Sequence, residues 1–600
     1  ATSMDVSGTA NLGADVTTTG TQAYQDAVTL SGDRTLTTTN SNVDFDALVN
    51  ASTTGDSLII VAGSGNVTFD AAIGGLVAMG DVNITADNVV ISALLNAPSS
   101  TVTLTIGVSA TDGVANSGYL IAQDLNIYGV GTFDFTHSDN DVDNLAIGTN
   151  STSVGGVIFN DTDSIILGTS GTTSSTPIVY LAGNMTLTAD DDILINDAIS
   201  YTSAATSTLT LTAGDDLMLN EAITSSNGIL HVTATASTSA GGYLGIEGNL
   251  TTKGGAISLS GYLISAQASS AQTFDTSRVG ATGGNIDFNN ALQLGITNSG
   301  SASALTLTTG NGSVTFDSPV DSASSITRQY SIGTTISLAA QGISGWSSSA
   351  TRTYNDESNG AETIVCCFND TLSYTTISDL NNTSLTVSFN WYRVDSWDNQ
   401  EPFKIIVNGT TIFNDKFAYN NGSNRSQTNS GYTTTFTNRI SNGNYGDYIR
   451  YGNSQSTWYD SSYLVTITTP SIDSFAMTLD ADSMQDTNDE SYGVRDFAYT
   501  GGSDGTSTTS ISSNTGLVIS AGSGNVTFSD SIGNTKVLND VSISGALINT
   551  EAIALATNEE LSITNSGNSE IGGALTGTGV VLNKAGVGSL TLSSNNTYTG

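Results

Sequence analysis

Along most of the chain, apolar residues alternate with Thr, Ser and Asn in short runs, and each run is closed by a Gly, Asn or Asp turn. Alternation with period two leaves one apolar face and predicts strands. Ala27–Leu30, Thr35–Thr38, Val43–Leu48, Leu58–Ala62, Val67–Ala71, Asp81–Thr85 and Val89–Ala93 follow one another in this way. No amphipathic helical stretch of convincing length appears. The stretch Ala62–Phe69, A-G-S-G-N-V-T-F, returns unchanged at Ala521–Phe528, and T-G-N-G-S-V-T-F stands at Thr309–Phe316. Each copy is a small-residue turn followed by a strand that cannot bury its apolar face alone. A stack of such strands can.

The spacing of a second repeat sets the size of one layer. Thr188–Ile199, T-A-D-D-D-I-L-I-N-D-A-I, aligns with Thr212–Ile223, T-A-G-D-D-L-M-L-N-E-A-I, at an offset of 24 residues. That length accommodates about three short strands with turns, one coil of a parallel β-helix whose strands pair with their equivalents roughly 4.8 Å above. Ile193 and Ile195 then point one way and Leu194 the other. Asn196 aligned with Asn220 predicts an Asn ladder at a turn, a structural role. At some 22 residues per coil, the first 325 residues make roughly 15 coils.

The repeat vanishes near 326 and returns near 503. All four Trp (Trp346, Trp391, Trp397, Trp458), 13 of the 21 Tyr and nine of the 14 basic residues fall between these limits. The expected organisation is a β-helix over 1–325, an inserted domain over 326–502 and a resumed β-helix over 503–600. The insert's strands are longer. Ser384–Arg393 places Leu385, Val387, Phe389 and Trp391 on one face, and Phe403–Val407 joins Thr410–Phe413 across Asn408-Gly409, a hairpin turn signal. Tyr463–Thr468 and Phe475–Leu479 follow. An antiparallel two-sheet β-sandwich is the natural solution. The fold class is therefore all-β, a parallel solenoid interrupted by a sandwich.

Charge narrows the function. With 14 Lys+Arg against 55 Asp+Glu, the formal charge is −41, which argues against nucleic-acid binding and against adhesion to anionic lipid. Only 12% of residues are charged and 38% are apolar, too apolar for an acidic disordered chain. No apolar run reaches the 18 residues of a membrane-spanning helix. The chain opens without Met or a leader and stops inside a repeat, so it reads as a segment of a longer protein.

Two acidic motifs in the insert suggest a metal. Val394–Glu401 reads V-D-S-W-D-N-Q-E and Asp486–Phe497 reads D-T-N-D-E-S-Y-G-V-R-D-F. Both are expected at strand ends. Hard oxygen donors at short spacing suit calcium, with Asp395, Asp398 and Glu401 on one side and Asp489, Glu490 and Asp496 on the other. The competing reading has these acids capping strand ends and pairing with Arg393 or Arg495. Trp397, Tyr492 and Trp458 are the candidate ligand-stacking residues. Elsewhere, Asp139-Asn140-Asp141-Val142-Asp143 is half of a calcium-loop pattern and reads as a solvated turn. His137 and His231 lack partners at zinc spacing and read as surface residues. Cys366 and Cys367 are adjacent, so no disulfide framework exists. They read as free or buried thiols, and no His in the insert would activate them.

These residues carry resemblances. V-T-T-T-G-T-Q-A-Y-Q-D-A-V-T-L, A-G-S-G-N-V-T-F, N-D-V-D-N-L-A-I and L-T-A-G-D-D-L-M-L-N-E-A-I resemble coils of large bacterial exoproteins of the filamentous haemagglutinin type. Leu575–Gly600 is similar to the autotransporter-associated β-strand repeat. The resemblance implies a right-handed parallel β-helix, export across two bacterial membranes and an outer-membrane translocating barrel encoded beyond Gly600. Over about Ala361–Tyr499 the insert resembles jelly-roll modules of the lectin or laminin-G-like kind, which implies a calcium-supported, glycan-binding sandwich. The expected function is thus that of a non-enzymatic adhesin at a bacterial surface, a rigid solenoid displaying a domain that binds a glycan or a neighbouring cell. The alternatives are an architectural coat or spacer and a polysaccharide-degrading β-helix. The last needs paired carboxylates or a cationic cleft, and the coils hold only five of the 14 basic residues.

Overall fold

The computed structural model describes residues 1–107, 113–149, 152–168, 174–239, 242–267, 271–295, 304–329, 336–338, 346–348, 350–356, 360–368, 371–374, 385–395, 401–417, 424–438, 461–470, 472, 475–481, 490–501, 506–510 and 514–599. These residues fall into two compact units, one of Ala1–Ile332 with Thr506–Gly600 and one of Gly333–Gly505. Among them every regular element is a strand.

The first unit is a parallel β-solenoid. One face is an 18-stranded sheet in which each strand pairs in parallel with its equivalent in the next coil. Fourteen of these rungs precede the second unit in sequence and four follow it. At the usual strand separation the stack is about 80 Å long. Several coils add a strand to two further faces, as Ile193–Ile195 and Asp197–Tyr201 do after Met185–Ala189. The 24-residue offset is observed directly, since Thr188 pairs with Thr212, Ile193 with Leu217 and Ile199 with Ile223.

The repeat Val-Thr-Phe works as its alternation dictates. Val67 and Phe69 are fully buried and Thr68 is half-exposed. Because the register is parallel, like packs on like: Tyr24, Phe45 and Phe69 stack with centroids 4.8 and 5.0 Å apart and planes nearly parallel. Each offset stack is worth about 0.5–1.5 kcal/mol beyond its buried area. The equivalent turns ahead of the strands Leu230–Thr235 and Ile257–Ser260 are held by their own small residues. Ser225 Oγ donates to the Gly228 carbonyl and Thr252 Oγ1 to the Gly255 carbonyl, both at 2.6 Å. Ile193 and Ile195 enter the central core, while Leu194 lies on the opposite face with Ile166, Met218 and Tyr243. Asn220 Nδ2 donates to Asn196 Oδ1 at 2.7 Å, so the two Asn form the expected ladder.

The stack continues across the second unit. Val314, Thr315 and Phe316 pair with Val526, Thr527 and Phe528, and Leu305 pairs with Leu517. The looser copy of the opening repeat, Thr309–Phe316, thus sits directly beneath the second exact copy, Ala521–Phe528. Gly522 has φ +59°, and a Cβ there would fall on the Gly310 carbonyl oxygen, so this turn admits only glycine. The chain departs at the corner after Val320–Ser322 and returns ahead of Gly516–Ser520. Ser325–Gln329 and Thr506–Ser510 form an antiparallel pair there. Lys536 Nζ donates to the Ala323 carbonyl at 2.6 Å, and the Thr515 amide donates to Ser322 Oγ at 3.1 Å.

The second unit contains two antiparallel sheets, one of eight strands and one of four. Val387, Phe389 and Trp391 from the larger sheet share one core with Phe403, Ile405, Met477 and Leu479 from the smaller, which makes it a sandwich. The hairpin is as expected: Val407 pairs with Thr410, and Asn408 and Gly409 both take positive φ. Cys366 and Cys367 belong to the strand Gly360–Phe368, and their side chains lie outside the described residues.

One local expectation is corrected. The acidic pentad at 139–143 is not simply a solvated turn: Asp141 opens the strand Asp141–Ile147, and Asn140 is fully buried. Its amide donates to the carbonyls of Phe135, His137 and Asn160 and its oxygen accepts from Leu120 N, so it locks adjacent coils together.

Candidate functional site: stacked carboxylates on the solenoid

The repeated T-A-x-D-D turn builds the one group of three carboxylates among the described residues that lie close enough together to hold a cation. Asp191, Asp192 and Asp215 each bring a carboxylate oxygen within 4.8 Å of the others. Stacking of coils puts them there. Asp191 N donates to the Asp163 carbonyl at 2.9 Å, and Asp215 N donates to the Asp191 carbonyl at 3.0 Å. A Cβ at Gly214 would fall on the Asp190 carbonyl oxygen, which explains why the second copy has Gly where the first has Asp. Asp192 is buried, and its Oδ1 accepts the Asp216 amide at 2.9 Å, while Asp191 and Asp215 are exposed. Ser164 Oγ lies beside Asp191 and Asp192, donating to Asp191 Oδ2 at 3.4 Å and accepting the Asp192 amide at 3.1 Å.

Three carboxylates fixed by a backbone ladder offer hard oxygen donors only. That donor set suits a divalent cation such as calcium, magnesium or manganese, and nothing in it selects one of them. The Asp residues were visible in the sequence as part of the 24-residue repeat. The signal for a cation was the recurrence of D-D at the same place one coil later, which a search confined to short loop spacings passes over.

The sites expected in the sandwich fare differently. Asp395 and Glu490 come from the two separate motifs and are Cα partners on adjacent antiparallel strands, so the fold does bring those two positions together. Their side chains, and that of Glu401 at the head of Glu401–Val407, lie outside the described residues, as do Asp398, Asp489, Trp397 and Trp458. Asp496 does not join them. Its neighbour Arg495 pairs with Asn390, five positions back along the strand from Asp395, which is roughly 17 Å. Asp496, at φ +55°, instead accepts from Asn390 Nδ2 at 3.0 Å and pairs with Arg495 Nε at 2.8 Å. Tyr492 is corrected too. It is fully buried, packs 5.5 Å from Phe403 and donates to the Leu479 carbonyl at 3.4 Å, so it presents no ring face to a ligand.

His231 is exposed on its strand with Nδ1 accepting the Ala256 amide, and His137 Nδ1 accepts the Asp139 amide, both at 3.1 Å. No helix among the described residues is long and apolar enough to cross a membrane. Compared with known protein families, with curated proteins and with solved structures, the chain matches none.

Proposed function

We propose that the chain is part of an exported bacterial surface adhesin, in which the solenoid carries the sandwich of 333–505 as its binding module. One observation supports this reading above the others: the solenoid resumes in register, Val314 on Val526 and Leu305 on Leu517, as though the intervening residues were absent. A fold inserted at one corner adds nothing to the stacking on either side of it, so its presence asks for a role of its own. Binding suits a module with acidic, Trp-containing motifs around Asp395, Trp397, Asp398 and Glu490, and the lectin-like cast of those motifs favours a glycan at a cell surface. Calcium is the cation we assign to Asp191, Asp192 and Asp215, and to the sandwich acids, because it accepts many oxygen ligands in loose geometry. The solenoid itself acts as a rigid, non-enzymatic support outside the cell.

The test exploits the exit strands. Gln329 and Thr506 are partners in an antiparallel pair, so residues 330–505 can be replaced by Asn-Gly to close a two-residue hairpin. Glycan-array and cell binding by the full chain that the excised chain lacks supports the proposal. Equal binding by both sinks it, and binding by neither favours a coat or spacer. Degradation of an acidic polysaccharide by either protein would support the enzymatic alternative instead.

A further inference from the structure

The outward side of the 18-stranded sheet changes character over four consecutive coils. Its strands there are Met185–Ala189, Ser207–Ala213, Leu230–Thr235 and Ile257–Ser260. Inward residues such as Leu187, Leu211, Ala234 and Leu259 are fully buried. The outward residues fall into two files. Thr186 pairs with Thr210, Thr210 with Thr233 and Thr233 with Ser258, while Thr188 pairs with Thr212, Thr212 with Thr235 and Thr235 with Ser260. No register shift interrupts either file, and all eight residues are at least partly exposed. No hydrogen bond joins any of the six Thr hydroxyls to another described residue. The turn hydroxyls of Ser225 and Thr252, by contrast, donate to backbone carbonyls. Asn289 closes the files, its amide donating to Ser258 Oγ at 3.2 Å and to Ser260 Oγ at 2.7 Å. Elsewhere the strands of this sheet carry acids, Asp5, Asp44 and Asp134 before these coils and Asp287 and Glu570 after them. The four strands themselves hold no Asp, Glu, Lys or Arg, and no aromatic ring other than that of His231.

We infer that this face binds ice. Parallel pairing sets the hydroxyl-bearing residues roughly 4.8 Å apart from coil to coil, and alternation sets the two files roughly 6.6 Å apart along each strand. The oxygens on a prism face of hexagonal ice repeat at two perpendicular spacings close to these. Thr is stiff at χ1, so a file of Thr in one register repeats its methyl and hydroxyl with little rotamer freedom to lose. The hydroxyls, free of protein partners, can hydrogen-bond to lattice water while the methyls exclude mobile water between them. An uncharged array complements a neutral lattice, and it stands out in a chain of formal charge −41. Other occupants fit less well. A cation finds no carboxylate on these strands. A sugar face stacks on aromatic rings and a protein interface is anchored by aromatic or Arg side chains, and neither is present there. The inference rests on solenoid residues alone and is independent of what the sandwich binds.

Ice-affinity partitioning of the full chain tests this. Ice is grown slowly from a seed in the protein solution, and the frozen and liquid fractions are compared. The native chain should be enriched in the ice. Thr210→Lys, which puts a charge and a long side chain at the centre of one file, should stay in the liquid. Thr233→Tyr, which adds bulk without charge and suits a strand, should do the same. Thr224→Lys, at an exposed strand position outside the two files, should partition as the native chain does. All three variants should melt with the native chain, so a loss of enrichment is not a loss of fold. Exclusion of the native chain from ice, or equal enrichment of Thr210→Lys, Thr233→Tyr and Thr224→Lys, overturns the inference. Binding to crystalline cellulose or chitin that Thr210→Lys abolishes, without enrichment in ice, overturns it in favour of a polysaccharide.

Discussion

The rings of Phe316 and Phe528 lie 4.3 Å apart and 6° from parallel, although the coils they belong to are offset by 212 residues. They close a stack that runs back through Phe288 at 4.8 Å, and they mark the seam where the solenoid resumes. Both are essentially buried. Phe528→Ala therefore removes a ring from the interior at the one place where continuity depends on a long-range contact. Truncation of a buried Phe costs about 3–5 kcal/mol. Because a solenoid is stabilised by neighbour contacts, the loss should concentrate in the four final rungs. Exchange protection over 514–599 should fall while that over the first coils stays unchanged. A uniform loss along the whole chain would contradict the seam.

The cation group gives a prediction with two arms. Calcium or manganese added to the full chain should raise the melting temperature, by an amount corresponding to about 2.7 kcal/mol once the free cation reaches a hundred times its Kd. Asp215→Asn, at an exposed position of the group, should remove most of that rise without lowering the melting temperature in EDTA. Manganese electron spin resonance would show whether one cation is held. A melt that ignores cations, or a rise that survives Asp215→Asn, would assign the carboxylates a purely structural role.

Much of the solenoid was legible in the chain, and the reason is physical. A parallel stack repeats one environment every coil, so Thr188–Ile199 and Thr212–Ile223 show their alignment in the letters alone. The alternation of Leu385, Val387, Phe389 and Trp391 likewise gave the sandwich core, because one buried sheet face imposes a period of two. Sites are harder to read because they depend on neighbours far along the chain. Asp191 and Asp215 are in adjacent turns only because the coil is 24 residues long. Tyr492 looked like a loop residue from its acidic surroundings, D-E-S-Y-G, yet the strand Glu490–Gly501 carries it into the core. The side chains of a motif do not say which way its strand alternates.

Asn220 should be costly to replace. Its amide donates to Asn196 Oδ1 one coil below, and Asn196 is fully buried. Asn220→Ala leaves that oxygen without this donor inside a corner where water has little access, a loss of about 1–3 kcal/mol. Asn220→Gln keeps the chemistry but not the reach, since a ladder at one coil spacing fixes side-chain length. Both should lower the unfolding midpoint in denaturant, with alanine the more severe. An Asn196→Ala, Asn220→Ala double variant less destabilised than the sum of the singles would show that the two act as a pair.

Asp56 predicts a pH dependence opposite in sign to that of Asp143, which burial, reinforced by Asp141, Asp163 and Asp124, pushes up to about 7. Burial works against its charge, but donors from Thr53 and Ser52 outweigh it and hold its carboxyl down at about 2. Oδ2 accepts the amides of Ser52 and Thr53 at 3.0 and 3.1 Å and the Ser52 hydroxyl at 2.9 Å, while Oδ1 accepts the Thr53 hydroxyl at 3.0 Å. A lowered carboxyl contributes stability that is present above the ordinary carboxylate range near 4 and is lost as pH falls toward 2. Asp56→Asn should therefore melt below the native chain at pH 7, with the gap closing between pH 4 and pH 2. Asp143→Asn should show the reverse, melting above the native chain at pH 8 and converging with it near pH 4. Thermal melts of the two variants across this range decide both signs, and a gap for Asp56→Asn that does not narrow in acid would mean that its turn is held by shape rather than by charge.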